Sequence, residues 1–344
     1  MLEKPAIQDH QLLACLREEF GLNATQITFL PIGNDANSAL FRAETGETSA
    51  YFVKLRSGDF DEMTVVVPRL LRDQNITAII APLSTRSGQL WTSLDNFKVC
   101  VFPFVEGHTG YDIALLDRHW IDFGRALKAL HSAALPPMVT DRIQRERYAD
   151  RWRSMVRQFQ TLAEERQYDD PVAADLAEFL RDKKAEISHL VQRAEQLASV
   201  LATQSEPFVL CHADIHGRNI LIDADNRLYL VDWDTLTLAP KERDLMFVGG
   251  GLIPNPRPAQ EEERLFYQGY GQTQINAVAL SYYRFERIVE DVASYSEQIL
   301  MTDRGGKDRA SGLQKLMNQF RPDNVVEIAC RTEKQLPEPY RARF

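Results

Sequence analysis

The most informative segment of the chain reads His212-Ala213-Asp214-Ile215-His216-Gly217-Arg218-Asn219, and Val231-Asp232-Trp233-Asp234 follows it after two short apolar runs. The polar residues 223–226 separate these runs, a pattern that predicts a β-hairpin. The two ends of a hairpin lie at the same edge of a sheet, which would bring Asn219 close to Asp232. Magnesium prefers hard oxygen ligands such as carboxylates and amides. We therefore predict that Asn219 and Asp232 hold Mg²⁺.

Asp214 lies five residues before Asn219 on the same predicted loop. There its carboxylate can accept the proton of a hydroxyl that attacks the terminal phosphate of a nucleotide. Phosphoryl transfer depends mainly on positioning and on cations at the phosphate oxygens, so one carboxylate and one metal site form a sufficient core. Taken singly, each residue would fit a solvated loop or a helix cap, but their ordered spacing favours catalysis with Asp214 as the base. We expect His212 and His216 to support the loop by hydrogen bonds.

Two kinds of periodicity divide the chain. In the first hundred residues, apolar and polar residues alternate, which predicts an antiparallel sheet with one crossover helix at residues 60–73. The predicted strands are residues 26–30, 39–43, 49–55, 89–93 and 97–102. Beyond Gly107 the apolar spacing is helical except in the hairpin, and the clearest predicted helices are residues 172–202, 260–271 and 277–301. We therefore predict an α+β fold, with a polar, Gly-rich linker at residues 303–312.

Lys54 is the one charged residue in the apolar run of residues 51–55. A lysine is seldom buried without a partner, and the phosphates of a nucleotide would supply one. The alternative is an edge-strand lysine that points into water. We favour the interpretation that Lys54 binds a nucleotide.

The spacing His-x-Asp-x-x-x-x-Asn at His212, Asp214 and Asn219, with a later metal-binding Asp at Asp232, resembles the aminoglycoside phosphotransferase family of the protein-kinase-like superfamily. Ala213 stands where protein kinases have Arg, and Asp232-Trp233-Asp234 stands where they have Asp-Phe-Gly. These departures favour antibiotic and metabolite kinases over protein kinases.

The resemblance implies a two-lobed, protein-kinase-like fold. Residues 1–104 would form a nucleotide-binding lobe with a small antiparallel sheet and one crossover helix. Residues 105–334 would form a larger, mainly helical lobe that carries the catalytic and acceptor-binding residues. Residues 335–344 would be a loosely ordered tail.

The resemblance also implies ATP as the phosphoryl donor, with Lys54 at its inner phosphates and Glu62 as the acidic partner of Lys54. Residues 32–38 would cover the phosphates through Asn34 and Ser38, although this segment contains a single glycine and could equally be an ordinary turn. At the junction of the lobes, the carbonyl oxygen of Pro103 and the N–H of Val105 would bind adenine. A proline is compatible with a position that supplies only a carbonyl.

The acceptor would be a cationic aminocyclitol antibiotic, spectinomycin by resemblance, and its phosphorylation would confer resistance. Its amines would be attracted by acidic and aromatic side chains, for which Asp234 and Tyr283 are the candidates. Two alternatives stay open: a metabolite kinase of the choline or homoserine type, and a nucleotide-binding pseudokinase scaffold. The complete set of Asp214, Asn219 and Asp232 speaks against the scaffold.

Composition supports a small-molecule enzyme. The formal net charge of −9 argues against nucleic acid as a partner and favours a cationic small molecule, although an acidic surface could simply maintain solubility. There is no apolar run long enough to cross a membrane, and the first eleven residues are too charged for a secretion signal. We expect a cytoplasmic monomer whose four cysteines are reduced.

Overall fold

The computed structural model describes residues 4–33, 37–46, 49–249, 257–302 and 306–341. The chain forms two compact units: the first is residues 1–143 with 217–236, and the second is residues 144–216 with 237–344. The predicted lobe boundary after residue 104 therefore falls inside the first unit. The predicted hairpin also belongs to the first unit, whereas Asp214 belongs to the second.

The first unit contains an antiparallel sheet with the strand order β1-β2-β3-β5-β4 and a smaller antiparallel sheet with the order β6-β8-β9. Its strands are β1 (Gln26–Leu30), β2 (Ser38–Glu44), β3 (Ala50–Ser57), β4 (Thr92–Leu94), β5 (Phe97–Pro103), β6 (Gly107–Thr109), β8 (Ile220–Asp223) and β9 (Leu228–Leu230). Its helices are α1 (Asp9–Glu19), α2 (Met63–Asp73), α3 (Asp117–His131) and α4 (Pro137–Thr140). The predicted antiparallel sheet, its crossover helix α2 and the hairpin β8–β9 are confirmed.

Helix α1 was not predicted. Its buried residues Leu12, Cys15 and Leu16 have the spacing of one helical face, and they pack in one core cluster with Val53 and Leu55 of β3. The helix thus covers one face of the larger sheet. The helical spacing of its apolar residues was the signal that could have revealed it.

Strand β4 begins later than predicted because the preceding residues form a turn. The backbone N–H of Thr85 donates to the carbonyl oxygen of Gln89 at 2.7 Å, and the N–H of Gln89 donates to Thr85 Oγ1 at 3.0 Å. These bonds use the polar groups of residues that would otherwise have extended the strand.

The second unit is mainly helical. Its helices are α5 (Arg151–Glu165), α6 (Pro171–Asp182), α7 (Lys184–Leu201), α8 (Glu242–Leu245), α9 (Ala259–Tyr270), α10 (Ala277–Leu300), α11 (Gly306–Gln319) and α12 (Val325–Glu333), and its strands β7 (Val209–Cys211) and β10 (Thr237–Ala239) pair antiparallel. The 24-residue helix α10 packs against α5, α7, α11 and α12. It is the central element of this unit.

Two sequence predictions for the second unit were wrong. The helix predicted at 172–202 is divided at Lys183, whose φ of −92° and ψ of 9° separate α6 from α7. Part of the predicted linker 303–312 is the first half of α11, where a Cβ on Gly312 would lie 2.9 Å from Tyr295 Cδ1. That glycine permits close helix packing. In the described part of the tail that we predict to be loosely ordered, Leu336 is fully buried and the carbonyl oxygen of Tyr340 accepts a hydrogen bond from Arg193 Nη2 at 2.8 Å.

None of the described helices has both the length and the apolar character needed to cross a membrane.

Gly107 begins β6 and lies at a close backbone approach to β8 within the smaller sheet. It pairs with Asp223 at the start of β6, and a Cβ at this position would overlap the carbonyl oxygen of Ile222 and lie 2.9 Å from its carbonyl carbon. Because both obstacles are backbone atoms, they can yield only if the strands separate.

We predict that Gly107→Ala lowers the free energy of unfolding by about 1 to 3 kcal/mol, the usual range for overpacking. Urea denaturation measures the change. The control is His108→Ala at the next, exposed position of β6, for which an effect within about 0.5 kcal/mol is expected. Equal stability of the two variants would contradict the close approach.

Candidate active site

Lys54 lies on the central strand β3, where its ammonium contacts two carboxylates that follow β9. Its Nζ is 3.0 Å from Asp232 Oδ1 and 2.7 Å from Asp234 Oδ2, and its side chain is 15 % exposed. Burial by itself lowers the pKa of Lys54, but the charges of Asp232 and Asp234 outweigh burial and raise it above its usual range. Lys54 is therefore a largely buried ammonium held in its charged form, and not an edge-strand lysine in water.

Two predicted site residues have other partners than expected. Glu62 was predicted to pair with Lys54, but Glu62 Oε2 is 2.8 Å from Arg142 Nη2. Asp234 was predicted to face the acceptor, but its Oδ2 accepts hydrogen bonds from both Lys54 Nζ and Arg56 Nη1, the latter at 2.8 Å. The acidic partners of Lys54 therefore come from the segment after the hairpin and not from helix α2.

The predicted metal ligands lie at one end of the hairpin. The backbone N–H of Val231, next to Asp232, donates to the carbonyl oxygen of Asn219 at 3.0 Å. The side chain of Asp232 is 52 % exposed, whereas Asn219 is buried. One accessible carboxylate and one amide fit the oxygen chemistry that magnesium prefers, so the residues present are compatible with the predicted ion.

The other described residues predicted to bind the nucleotide also lie in the first unit. Pro103 ends β5 and Val105 lies between β5 and β6; both line a cleft of about 540 Å³, together with residues 79–84 and Tyr229. Ser38 begins β2 and is buried. The position of Asn34 lies outside the described residues.

In the second unit, the loop that carries Asp214 is fixed by a buried carboxylate. The backbone N–H groups of His212 and Ala213 donate to Asp244 Oδ2 and Oδ1 at 2.9 and 2.7 Å. Asp244 is fully buried on the short helix α8. Ala213 has a φ of 69°, a left-handed conformation that is unfavourable for a residue with a side chain. The two hydrogen bonds to Asp244 hold this strained backbone in place.

Asp214 itself contacts a cation that sequence reasoning did not identify. Arg287 Nη1 on helix α10 donates to Asp214 Oδ1 at 2.6 Å, and His216 Nε2 lies 3.5 Å from Asp214 Oδ2. Burial alone would raise the pKa of Asp214, but Arg287 and then His216 hold that pKa well below its usual range. These two neighbours therefore favour the ionised carboxylate of Asp214.

Tyr283 was predicted as an acceptor contact, but its side chain is fully buried. Its ring centroid is 5.0 Å from that of Tyr282, one residue away on the same helix. This placement makes Tyr283 part of the packing of α10.

The two sets of residues define a class of protein. The first unit contributes a largely buried lysine paired with an Asp that follows a hairpin, and an Asn at the start of that hairpin; the second unit contributes an ionised Asp on a fixed loop. Residues of these types are characteristic of kinase-like phosphoryl-transfer enzymes.

Comparison with known proteins gives the family. The chain belongs to the phosphotransferase enzyme family, whose pattern matches residues 28–277. It is thus a small-molecule O-phosphotransferase with a kinase-like fold, which confirms the predicted class of enzyme and fold. A comparison with curated proteins finds no match.

Several solved structures are similar to the chain. A crystal structure of spectinomycin phosphotransferase in complex with ADP and spectinomycin is 35 % identical, with a TM-score of 0.88 over 96 % of this chain and 100 % of that chain. An aminoglycoside phosphotransferase from Alicyclobacillus acidocaldarius is 15 % identical, with a TM-score of 0.60 and coverage of 97 % of both chains. A choline/ethanolamine kinase family protein from Mesorhizobium loti is 14 % identical, with a TM-score of 0.55 over 93 % of this chain and 97 % of that chain. The last two likenesses concern the fold alone.

We predict that Asp244→Asn lowers the free energy of unfolding by about 2 to 4 kcal/mol, because the amide has a single acceptor oxygen and turns a donor toward the second backbone N–H. Urea denaturation measures the loss, and hydrogen exchange should show faster exchange at the amides of residues 212 and 213. Asp225→Asn, in the exposed turn of the hairpin, is the control and should change stability by less than about 0.5 kcal/mol. Unchanged protection of both amides would contradict the role of Asp244.

Proposed function

We propose that the protein transfers the terminal phosphoryl group of magnesium ATP to a hydroxyl of spectinomycin or of a closely related aminocyclitol, and thereby confers resistance. The observation that carries the proposal is the 35 % identity, over nearly the full length of both chains, to an enzyme whose structure contains ADP and spectinomycin. In this proposal Lys54 supplies the phosphate-binding cation, Asp214 the base, and Asn219 and Asp232 the metal ligands.

Nucleotide binding is assigned to the first unit. The ammonium of Lys54 would bind the inner phosphates, since it is buried and held in the charged form. Pro103 and Val105 would bind adenine through a carbonyl oxygen and an N–H. Asp232 and Asn219 would hold Mg²⁺, which, when bound, neutralises charge on the phosphate oxygens.

The proton transfer is assigned to Asp214. As the acceptor hydroxyl oxygen forms its bond to the terminal phosphorus, the bond from that phosphorus to the bridging oxygen of ADP breaks, and the hydroxyl proton passes to the Asp214 carboxylate. The lowered pKa of Asp214 keeps this side chain in its carboxylate form, which is the form that can accept a proton. The proton then leaves to solvent.

The acceptor class is supported by charge as well as by similarity. The protein has a formal net charge of −9, which attracts a cationic acceptor such as an aminocyclitol amine.

The first test measures ATP consumption by the purified protein with spectinomycin, true aminoglycosides, choline and homoserine. We expect kcat/KM for spectinomycin to exceed that for choline or homoserine by at least about 100-fold, because a pocket built for several polar groups rejects acceptors that leave them unpaired. Chelation of magnesium should abolish turnover. Turnover of choline or homoserine in place of spectinomycin would overturn the acceptor assignment, and the absence of any turnover would favour a nucleotide-binding scaffold.

The second test is Asp214→Ala. We expect kcat to fall by about 10² to 10⁴-fold, the usual contribution of a general base, while the Kd for ATP changes by less than about twofold. Asp214→Asn removes the carboxylate but keeps the size of the side chain, and we expect kcat to fall in this variant as well. Asp225→Ala, in the exposed hairpin turn, should keep the rate of the unaltered protein. Near-normal turnover by both Asp214 variants would show that another group accepts the proton.

A further inference from the structure

A row of polar side chains links helix α11 to Asp214 within the second unit. Gln319 Nε2 donates to Asp291 Oδ2 at 2.7 Å, Asp291 Oδ1 lies 3.3 Å from Arg287 Nε, and Arg287 Nη1 donates to Asp214 Oδ1 at 2.6 Å. Arg287 and Asp291 are four residues apart on α10 and so share one face of the helix. The guanidinium of Arg287 therefore contacts Asp291 of its own helix on one side and Asp214 on the other.

The surroundings of Arg287 restrict its movement. Its side chain is 22 % exposed, and its guanidinium carbon lies 6.0 Å from the centre of the Phe247 ring. Burial would lower the pKa of Arg287, but Asp291 and Asp214 raise it well above the usual value. The Arg is thus a fixed charge with a carboxylate at each end.

The geometry requires a guanidinium in particular. Arg287 donates a hydrogen bond from Nη1 to Asp214, and its Nε lies 3.3 Å from Asp291 Oδ1 in an ion-pair contact that is not a hydrogen bond; both nitrogens belong to one rigid plane. A lysine has a single ammonium nitrogen at the end of a flexible chain and cannot reproduce this fork. Replacing Arg by Lys therefore separates the effect of charge from the effect of orientation.

We propose that Arg287, held by Asp291, is a positioning residue that orients the Asp214 carboxylate for proton transfer; this inference rests on the proposed function. A carboxylate that is free to rotate, or protonated, would lose the geometry and the charge that a general base needs. Arg287 acts through Asp214 and is assigned no contact with the acceptor.

Other charged groups around this pair bear on the pH dependence. On the loop itself, His216 lies near Asp214 Oδ2, and His212 Nδ1 accepts from the Asp214 backbone N–H at 3.4 Å. On α10, the negative charges of Asp291 and Glu290 raise the pKa of Arg287. On α8, Arg243 Nη2 lies 3.5 Å from Glu290 Oε2. Among these, Arg287 lowers the pKa of Asp214 most.

The experiment compares Arg287→Gln and Arg287→Lys with the unaltered protein, with spectinomycin as the acceptor. For Arg287→Gln we expect kcat to fall about 100-fold, with the acceptor KM within about threefold, since orientation of a reacting group enters kcat. Loss of the cation raises the pKa of the partly buried Asp214, so kcat of this variant should decline at acidic pH, where the unaltered protein keeps its rate. Arg287→Lys should restore the flat pH profile with part of kcat.

The matched control is Arg284→Gln, one turn earlier on the same helix. Arg284 Nε and Nη2 donate to the carbonyl oxygens of Met246 and Val248. Its replacement should lower the thermal unfolding temperature without adding an acid limb to the pH profile. The same acid limb in Arg284→Gln as in Arg287→Gln would overturn the inference, because a general loss of packing would then explain both.

A measurement without turnover separates this inference from the proposed function. The carboxyl carbon of Asp214 in ¹³C-aspartate-labelled protein, assigned by its loss in Asp214→Asn, should titrate at higher pH in Arg287→Gln than in the unaltered protein, with Arg287→Lys close to the latter. If no acceptor is phosphorylated, the proposed function fails, yet the titration still tests the pairing. An unchanged titration in both Arg287 variants would refute the role of Arg287.

Discussion

The ion pair between Lys54 and Asp232 is the interaction on which the first unit depends. These residues are separated by 178 positions in the sequence, and Asp234 and Arg56 extend the pair into a network of two cations and two carboxylates. A buried ammonium without carboxylates would carry a large desolvation cost. The network therefore ties the larger sheet to the segment after the hairpin. It also explains why that segment belongs to the first unit, although the residues before and after it in sequence belong to the second.

Two residues of the candidate site have a backbone conformation that residues with a side chain rarely adopt. Ala213 has a φ of 69° and Asp232 has a φ of 67°. Strained backbone of this kind persists where the surrounding structure holds it, and it is frequent at functional sites. Here each strained position is held by a charged group: Ala213 is bonded to the buried Asp244, and Asp232 to Lys54. The electrostatics of the site and its backbone geometry are thus parts of the same arrangement.

The sequence predicted the parts of the site that local pattern determines. Asn219 and Asp232 follow from a hairpin, and the antiparallel sheet follows from alternation, because both depend on neighbouring residues. Sequence gave no comparable signal for the partners of Lys54 or for Arg287, since these pairs join residues far apart in the chain. The choice of Glu62 came from a resemblance, and Arg142 takes that carboxylate instead. The sequence also predicts Gly312 to be part of a linker, because sequence alone does not distinguish a glycine that permits close helix packing from one that ends a helix. The difference depends on Tyr295, which packs against Gly312 in the folded chain.

The division of the chain into interleaved segments has a consequence for its synthesis. Residues 217–236, which complete the first unit, emerge from the ribosome only after 73 residues of the second unit, 144–216, have been made. Lys54 therefore lacks Asp232 and Asp234 until most of the protein is translated, and the first unit cannot reach its final fold as an early, independent body. For the same reason, no single cut in the chain separates one complete unit from the other. Each unit therefore needs two separate segments of the same polypeptide.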